Sequence, residues 1–323
     1  MVCRPGAGKT FLSVFLIEDA ESRSVKGASH AVASFICDWS DKRRSSLRVL
    51  LATMLFQLLA SHKDLTPLLD AFALAMMESM SSVASSVEEL WELLAIALKL
   101  CPFSTIIVDG IDELHEDDGE WTARQFSALS MANEDSRILL LSRDSNEWLG
   151  MHLNQHPWLR LEGVNNGDIE TFIASRIGGL RNRGFEPSFI IDDQQIIEHL
   201  SNRAAGMFLW ARLVLDHLTS RSLSQAERTK LFWEAIHLEG LDALYSRIVE
   251  HILQQRKPER EFARRIVMWI LNCGQLRVDE LKIGLAQGNT PLEPHHIVDD
   301  LVDIAMVTCG GLVETTSCSY TLL

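Results

Sequence analysis

The sequence predicts an α/β fold, a parallel sheet with helices on both faces, followed by an α-helical subdomain and a partial winged helix. Three observations predict it. Apolar runs of strand length at Ala31 to Cys37, Thr105 to Asp109 and Arg137 to Arg143 alternate with helical spacings through about residue 163. From Asn166 onward the strand signals stop and helical patterns take over. Near the start, Cys3-Arg4-Pro5-Gly6-Ala7-Gly8-Lys9-Thr10 is a glycine-rich turn that runs straight into a helical pattern.

The elements follow in order. A helix begins at Lys9 and runs to about Glu21, with apolar residues at Phe11, Leu12, Phe15 and Leu16. Ala31 to Cys37 is a buried strand. Helices are expected over 46–60, 65–80 and 87–100, the last opened by a Ser-x-x-Glu cap at Ser85 or Ser86. Thr105 to Asp109 is a strand with an acidic end, and an acid-rich turn from Asp112 to Glu120 follows. A helix near 120–132 leads to the strand Arg137 to Arg143, and Trp158 to Leu161 is a candidate edge strand. Six further helices are expected at Asp168 to Arg176, Asp193 to Leu200, Met207 to Leu218, Gln225 to His237, Ala243 to Gln255 and Arg260 to Asn272. Trp210, Leu213, Leu215 and Leu218, and Trp269 with Ile266 and Ile270, fall where core residues belong. Arg277 to Ala286, Pro294 to Val307 and a terminal strand-like pair complete a winged-helix pattern. The boundaries read as 1–163 for the α/β domain, 164–238 for the helical subdomain and 239–323 for the winged-helix-like region. Only Met1 and Val2 stand before the loop, where a buried strand is required. The expectation is therefore a first strand mostly missing and a chain truncated at both ends.

The glycine-rich turn matches a phosphate-binding loop except at its first position, where Cys3 replaces glycine and is expected to distort the loop without abolishing binding. Small residues let backbone N–H groups curl around phosphate oxygens at a helix start, where the helix dipole favours an anion. The nucleotide-binding set is Pro5, Gly6, Ala7, Gly8, Lys9, Thr10 and Phe11, with Lys9 reaching the β- and γ-phosphates. Thr10 and Asp109 are the magnesium residues, Asp109 acting through water. Asp112 and Glu113 are the carboxylates able to orient an attacking water, Asp112 preferred, with a capping role the alternative for Glu113. Arg143 senses the γ-phosphate, or else forms an ion pair with Asp144 or the acidic turn. The implied ligands are ATP or GTP, with ADP or GDP in a resting form, and Mg²⁺.

Composition narrows the function classes. The chain of 323 residues is 47% hydrophobic and carries a formal charge of −14, which argues against a nucleic-acid groove. Lys42-Arg43-Arg44 and the Arg256 to Arg265 cluster are short and fit solvated faces. The six cysteines (3, 37, 101, 273, 309, 318) show no zinc or disulfide spacing and fit reduced thiols of a cytoplasmic protein. His115 and His295-His296 have no ligand spacing. The apolar stretch 47–60 is too short to span a membrane.

Pro5 to Ser13, Val108-Asp109-Gly110-Ile111-Asp112-Glu113-Leu114, Leu140 to Arg143 and Gly206 to Leu213 resemble the NACHT-type signal-transduction NTPases of the STAND class. The resemblance is to fungal proteins with a nephrocystin 3-like domain. Leu244 to Ile248, Arg264 to Leu271 and Val278 to Leu281 resemble the winged-helix segment, of GPI-inositol-deacylase type, that follows it. The resemblance implies a nucleotide-controlled switch. A diphosphate is held in the resting form, and the triphosphate form opens and self-associates, with slow hydrolysis. It also implies effector and repeat domains that this chain lacks. Phe208 stands where relatives with a Gly-x-Pro turn carry proline, a departure that puts a nucleotide contact there in doubt. Two alternatives stay open: a degenerate loop scaffold or interaction module without hydrolysis, and a stand-alone kinase or ATPase, for which no lid or acceptor pocket is legible.

Overall fold

The computed structural model describes residues 1–24, 30–61, 70, 86–101, 103–115, 117–133, 135–144, 146–161, 163–182, 184–186, 191–219, 223–274, 276–286, 301–316 and 319–322. They divide into two compact units, Met1–Leu161 and Glu162–Leu323. Each has its own hydrophobic core.

In the first unit β1 (Val2–Cys3), β2 (Val32–Ile36), β3 (Thr105–Asp109) and β4 (Arg137–Arg143) form one parallel sheet in the order β1-β4-β3-β2. Its helices are α1 (Lys9–Ser24), α2 (Leu47–Ser61), α3 (Val87–Leu100), α4 (Asp118–Ala132) and α5 (Glu147–Leu153). A parallel sheet must be covered on both faces, and β3 shows this as an unbroken apolar run buried from Ile106 to Val108. Alternation sends Ile106 and Val108 into the cluster built with Leu50, Met54 and Leu94, and sends Asp109 to the opposite face, toward α1. The register sets Cys3 opposite Arg143, and Asp109 opposite both Ile36 and Leu141. The carboxyl ends of all four strands therefore share one edge.

The local chemistry matches the sequence where caps and periods are strong. Ser86 and Glu89 form a reciprocal capping box at the start of α3, with N–H···O distances of 3.1 and 2.8 Å. Two expectations change. Phe11 and Phe15 are 88% and 64% exposed, so the apolar spacing of α1 does not mark a core stripe. Only Leu12 of that set joins the small cluster of Cys3, Ala7 and Leu161. Trp158 to Leu161 is also less than a strand: Val2 donates to the Leu159 carbonyl at 2.9 Å, and the pairing reduces to a single parallel bridge between Val2 and Arg160. Apart from Asp70, the helix expected over 65–80 lies outside the described residues.

The second unit is α6 (Asn166–Arg181), α7 (Asp193–Ala204), α8 (Phe208–Leu218), α9 (Gln225–Ala235), α10 (Gly240–Gln254), α11 (Lys257–Cys273), β5 (Leu276–Arg277), α12 (Val278–Ala286), α13 (Leu301–Thr308), β6 (Val313–Thr316) and β7 (Ser319–Leu322). Helical spacing buries Ile169, Ile173, Ile177 and Leu180 along α6. Asp192 with Gln195 and Ser224 with Glu227 form capping boxes that start α7 and α9. Trp210, Leu213, Leu215, Leu218, Ile266 and Ile270 are buried, with Trp269 packed against them. The three strands form an antiparallel sheet ordered β5-β7-β6. The first part of the helix expected over 294–307, with His295 and His296, lies outside the described residues.

One turn of the first unit constrains a single residue type. Gly119, in the first turn of α4, sits so close to the Ile111 carbonyl that an added Cβ would lie 2.6 Å from that oxygen. Ile111 opens the 3₁₀ turn Ile111–Glu113. Gly119→Ala is expected to displace that turn and lower stability by about 1–3 kcal/mol, measured by chemical denaturation.

In the second unit His217 is buried against His251, with ring centroids 4.9 Å apart. Burial, chiefly, with the neighbouring His251 charge, lowers its pKa to about 4, against a weaker backbone interaction at Gly310. The unfolded chain takes up this proton near pH 6.5 and the folded one only near 4, so stability falls as pH drops through that window, by about 3 kcal/mol at most. Thermal melts from pH 7.5 to 4.5 should show a smaller loss for His217→Leu than for the unmodified chain; equal slopes would contradict this account.

Candidate functional site

The phosphate-loop residues leave β1 at Cys3 and enter α1 at Lys9. Gly6 and Gly8 take positive φ, 74° and 90°, conformations that L side chains rarely adopt. The first backbone bond of α1 in this region is Leu12 N–H to the Gly8 carbonyl, 3.0 Å. The amides of Lys9, Thr10 and Phe11 belong to the opening turn, where an α-helix has no acceptors of its own to offer. Thr10 stands exposed at that start, and Phe11 contributes backbone while its ring points into solvent. Pro5 is exposed and Ala7 buried.

Cys3 does not take part in the turn. It is a strand residue, fully buried, packed with Ala7 and Leu161, and it has no positive φ. The position therefore accepts a side chain without strain.

β3 brings Asp109 to the same edge, 2% exposed. Ser13, fully buried on α1, donates to Asp109 Oδ2 at 3.1 Å. Asp109 Oδ1 is buried with no hydrogen-bond partner among the described residues, and so is Lys9 Nζ. The nearest carboxylate to Lys9 is Asp112, at 4.0 Å, too long for a hydrogen bond. A buried ammonium nitrogen and a buried carboxylate oxygen that each lack a hydrogen-bond partner are costly. A phosphate oxygen and a hydrated divalent cation are what this donor set lacks, so the residues fit a magnesium-bound nucleotide.

The acidic turn is built on Gly110, whose φ of 73° lets the chain reverse beneath Cys37. Glu113 N–H returns to the Gly110 carbonyl at 2.8 Å. Both carboxylates of the turn meet Arg143, because β4 lies between β1 and β3. Arg143 N–H donates to Asp112 Oδ1 at 3.0 Å, its Nε lies 3.4 Å from Asp112 Oδ2, and Nη2 donates to Glu113 Oε1 at 2.9 Å. Trp39 N–H reaches Glu113 Oε2 at 3.4 Å. Burial raises the Glu113 pKa above the ordinary glutamate value, with Arg143 opposing. Burial together with the Asp109, Glu113 and Asp112 charges pushes the Cys37 thiol well up, which keeps it protonated and unreactive.

Lys9, Asp109, Asp112, Glu113 and Arg143 thus converge. Of the two pairings open to Arg143, the structure shows the acidic turn rather than Asp144. Three residues at the site were not singled out in the sequence: Ser13, Trp39 and Gly110. Ser13 carried no sequence signal, because the apolar spacing of α1 does not mark its inward side. Gly110 follows the acidic strand end, where a reversal was needed. Trp39 has no sequence signal. Phe208 packs within the second unit, edge-on against Phe172, and His115 Nε2 bonds Ser45 Oγ at 3.0 Å. Among the described residues no cluster of three or more His, Cys, Asp or Glu is placed to hold a metal. None of the described helices is long and apolar enough to cross a membrane. A cavity of about 310 Å³ in the first unit, lined by Phe126, Ile138, Leu149 and Trp158 among others, shares no residue with the loop.

Comparison with known proteins agrees with this geometry in the first unit. Residues 2–143, under half of the chain, match the family model described as Nephrocystin 3, N-terminal. No curated protein matches. Among solved structures, the Aeropyrum pernix ORC2 protein in its ADP form is 14% identical, with 99% of this chain and 82% of that chain covered and a TM-score of 0.39. The Aeropyrum pernix ORC1 protein in complex with DNA is 13% identical, covering 97% and 88%, at 0.32. A Walker-type ATPase of Pyrococcus abyssi is 9% identical, covering 95% and 92%, at 0.33. At such TM-scores these likenesses carry no functional weight. The family match and the loop geometry together make the segment 2–143 a P-loop NTPase fold similar to the nephrocystin 3 amino-terminal domain.

Proposed function

We propose that this protein binds ATP or GTP with Mg²⁺ at the loop of its first unit and works as a STAND-type signal-transduction switch with slow hydrolysis. The observation that carries the reading is the pair of buried, unpartnered atoms Lys9 Nζ and Asp109 Oδ1 beside a glycine turn at a helix start. Bound nucleotide would supply anionic oxygens to that turn, and Mg²⁺ would supply charge neutralisation between the phosphates. Lys9 and the amides of residues 6 to 11 hold the phosphates, while Thr10 and Asp109 hold the metal.

Asp112 and Glu113 are the carboxylates available to orient water. Both are engaged by Arg143, which supports slow turnover. The Arg143 and Glu113 side chains are 41% and 20% exposed, and an ion pair this accessible is worth no more than about 1 kcal/mol. A triphosphate can therefore draw the guanidinium away from Glu113, which is the behaviour of a switch, while Asp112, 4% exposed, keeps the Arg143 backbone N–H. Coupling to rearrangement and self-association, the effector and repeat partners, and the reading of β5, α12, α13 and the β6–β7 hairpin as a winged helix rest on the resemblance in the sequence. The domain limits 1–163, 164–238 and 239–323 belong to the same reading. The engagement of both carboxylates also favours a second reading, nucleotide binding without hydrolysis.

Titration of fluorescent ATP and ADP analogues with Mg²⁺ tests the proposal. Saturable binding that weakens at least about tenfold in Lys9→Ala is expected, since a charged hydrogen-bonding partner is lost. A folded chain that binds neither nucleotide would sink the proposal, and binding with no turnover in single-turnover assays would select the second reading. Cys3→Gly should leave nucleotide affinity within about twofold while costing about 1 kcal/mol of stability through lost packing and added backbone freedom; a marked gain in affinity would show that Cys3 does distort the loop.

A further inference from the structure

Ser13 is a buried hydroxyl on the inward side of a helix, where an apolar side chain would ordinarily pack. Its Oγ lies 3.1 Å from Asp109 Oδ2 and 2.9 Å from the Thr10 carbonyl oxygen. A hydroxyl has one proton to give and both neighbours only accept, so the proton goes to the charged carboxylate, the stronger acceptor, and joins α1 to the end of β3. The aspartate side chain turns easily about its last torsion, which has no sharp staggered wells. With Oδ2 held by Ser13, that rotation is checked. Oδ1 is then the oxygen left without a partner, and it is buried.

We infer that Ser13 is a positioning residue for magnesium: it holds the Asp109 carboxylate in the orientation that leaves Oδ1 available to the hydrated ion. The inference rests on the proposed nucleotide site and adds a residue to it. Ser13 lies three positions beyond Thr10, on the same side of the helix, so the hydroxyl that fixes the aspartate and the hydroxyl offered to the metal belong to one helical turn. Movement of that turn is felt at both magnesium residues together. A serine that merely filled space would leave the metal dependence of binding untouched on substitution.

The test is titration of a fluorescent ADP analogue into the full chain at a series of free Mg²⁺ concentrations and in EDTA, for the unmodified protein, Ser13→Ala, Ser13→Thr, Asp109→Ala and the Ser13→Ala/Asp109→Ala double variant. Ser13→Ala should raise the half-saturating Mg²⁺ concentration about tenfold, the scale of one hydrogen bond to a charged group, and leave affinity in EDTA within about twofold. Ser13→Thr, which keeps the hydroxyl, should restore the Mg²⁺ dependence. In the Asp109→Ala background Ser13→Ala should add nothing, because the effect passes through the aspartate. If circular dichroism shows that Ser13→Ala does not fold, Ser13→Cys, similar in shape with a weak donor, carries the same comparison and should shift in the same direction. An unchanged Mg²⁺ dependence in the folded variant overturns the inference alone, as does an equal shift with and without Asp109. Failure of the unmodified chain to bind nucleotide overturns the site and this inference with it.

Discussion

The burial of opposite charges at one edge of a parallel sheet is the constraint on which the first unit depends. Asp109 ends a strand whose three preceding residues, Ile106 to Val108, are buried and apolar, and Lys9 opens the helix beside it. Neither charge is exposed enough to rely on water, and neither has a direct hydrogen-bonded counter-ion. In a low-dielectric setting a charged atom without a hydrogen-bond partner is expensive, so the packing that forces these two groups inward must be repaid by something at the site. The apolar cluster that takes in Ile106 and Val108 of β3 provides that packing. Stability and ligand binding are linked through the same atoms, and anything that binds the folded state at those atoms stabilises it by mass action.

Around this pair the site divides into a rigid part and an exchangeable part. Backbone geometry makes the rigid part: the positive φ of Gly6, Gly8 and Gly110 is a conformation that other residues would strain to adopt, and Gly119 leaves no room for a side chain against the acidic turn. The exchangeable part is the Arg143 guanidinium. It is the most exposed member of the network, and its partners Asp112 and Glu113 are the groups nearest to chemistry. Strand order explains why one residue reaches both: β4 separates β1 from β3, so the residue at its end stands between the loop and the acidic turn. A charge so placed can be shared with a ligand at small cost, which the buried Lys9 and Asp109 cannot do.

Much of the fold was legible because its elements carry strong local signals. The capping box at Ser86 and the apolar runs of β2, β3 and β4 are encoded within a few residues, and the expected boundaries fall close to the observed ones. The apolar spacing of α1 misled because periodicity reports which residues share a face and not what covers that face. Phe11 and Phe15 share theirs with solvent. The run Trp158 to Leu161 has strand composition, but pairing needs a partner of matching length, and β1 offers Val2 and Cys3.

By itself the sequence determined the chemistry available: a glycine turn at a helix start, a lysine, an acidic strand end and two further carboxylates. These depend on residue type and short-range spacing, which a linear string records. Tertiary structure alone decided how that chemistry is spent. It placed Cys3 in an apolar cluster instead of the phosphate turn, gave Arg143 to the acidic turn instead of Asp144, and set Ser13 against Asp109 across 96 positions of sequence. The reason is that a hydrogen bond or an ion pair is chosen by distance and by the loss of water as competitor, and both arise only when β1, β3, β4 and α1 pack together.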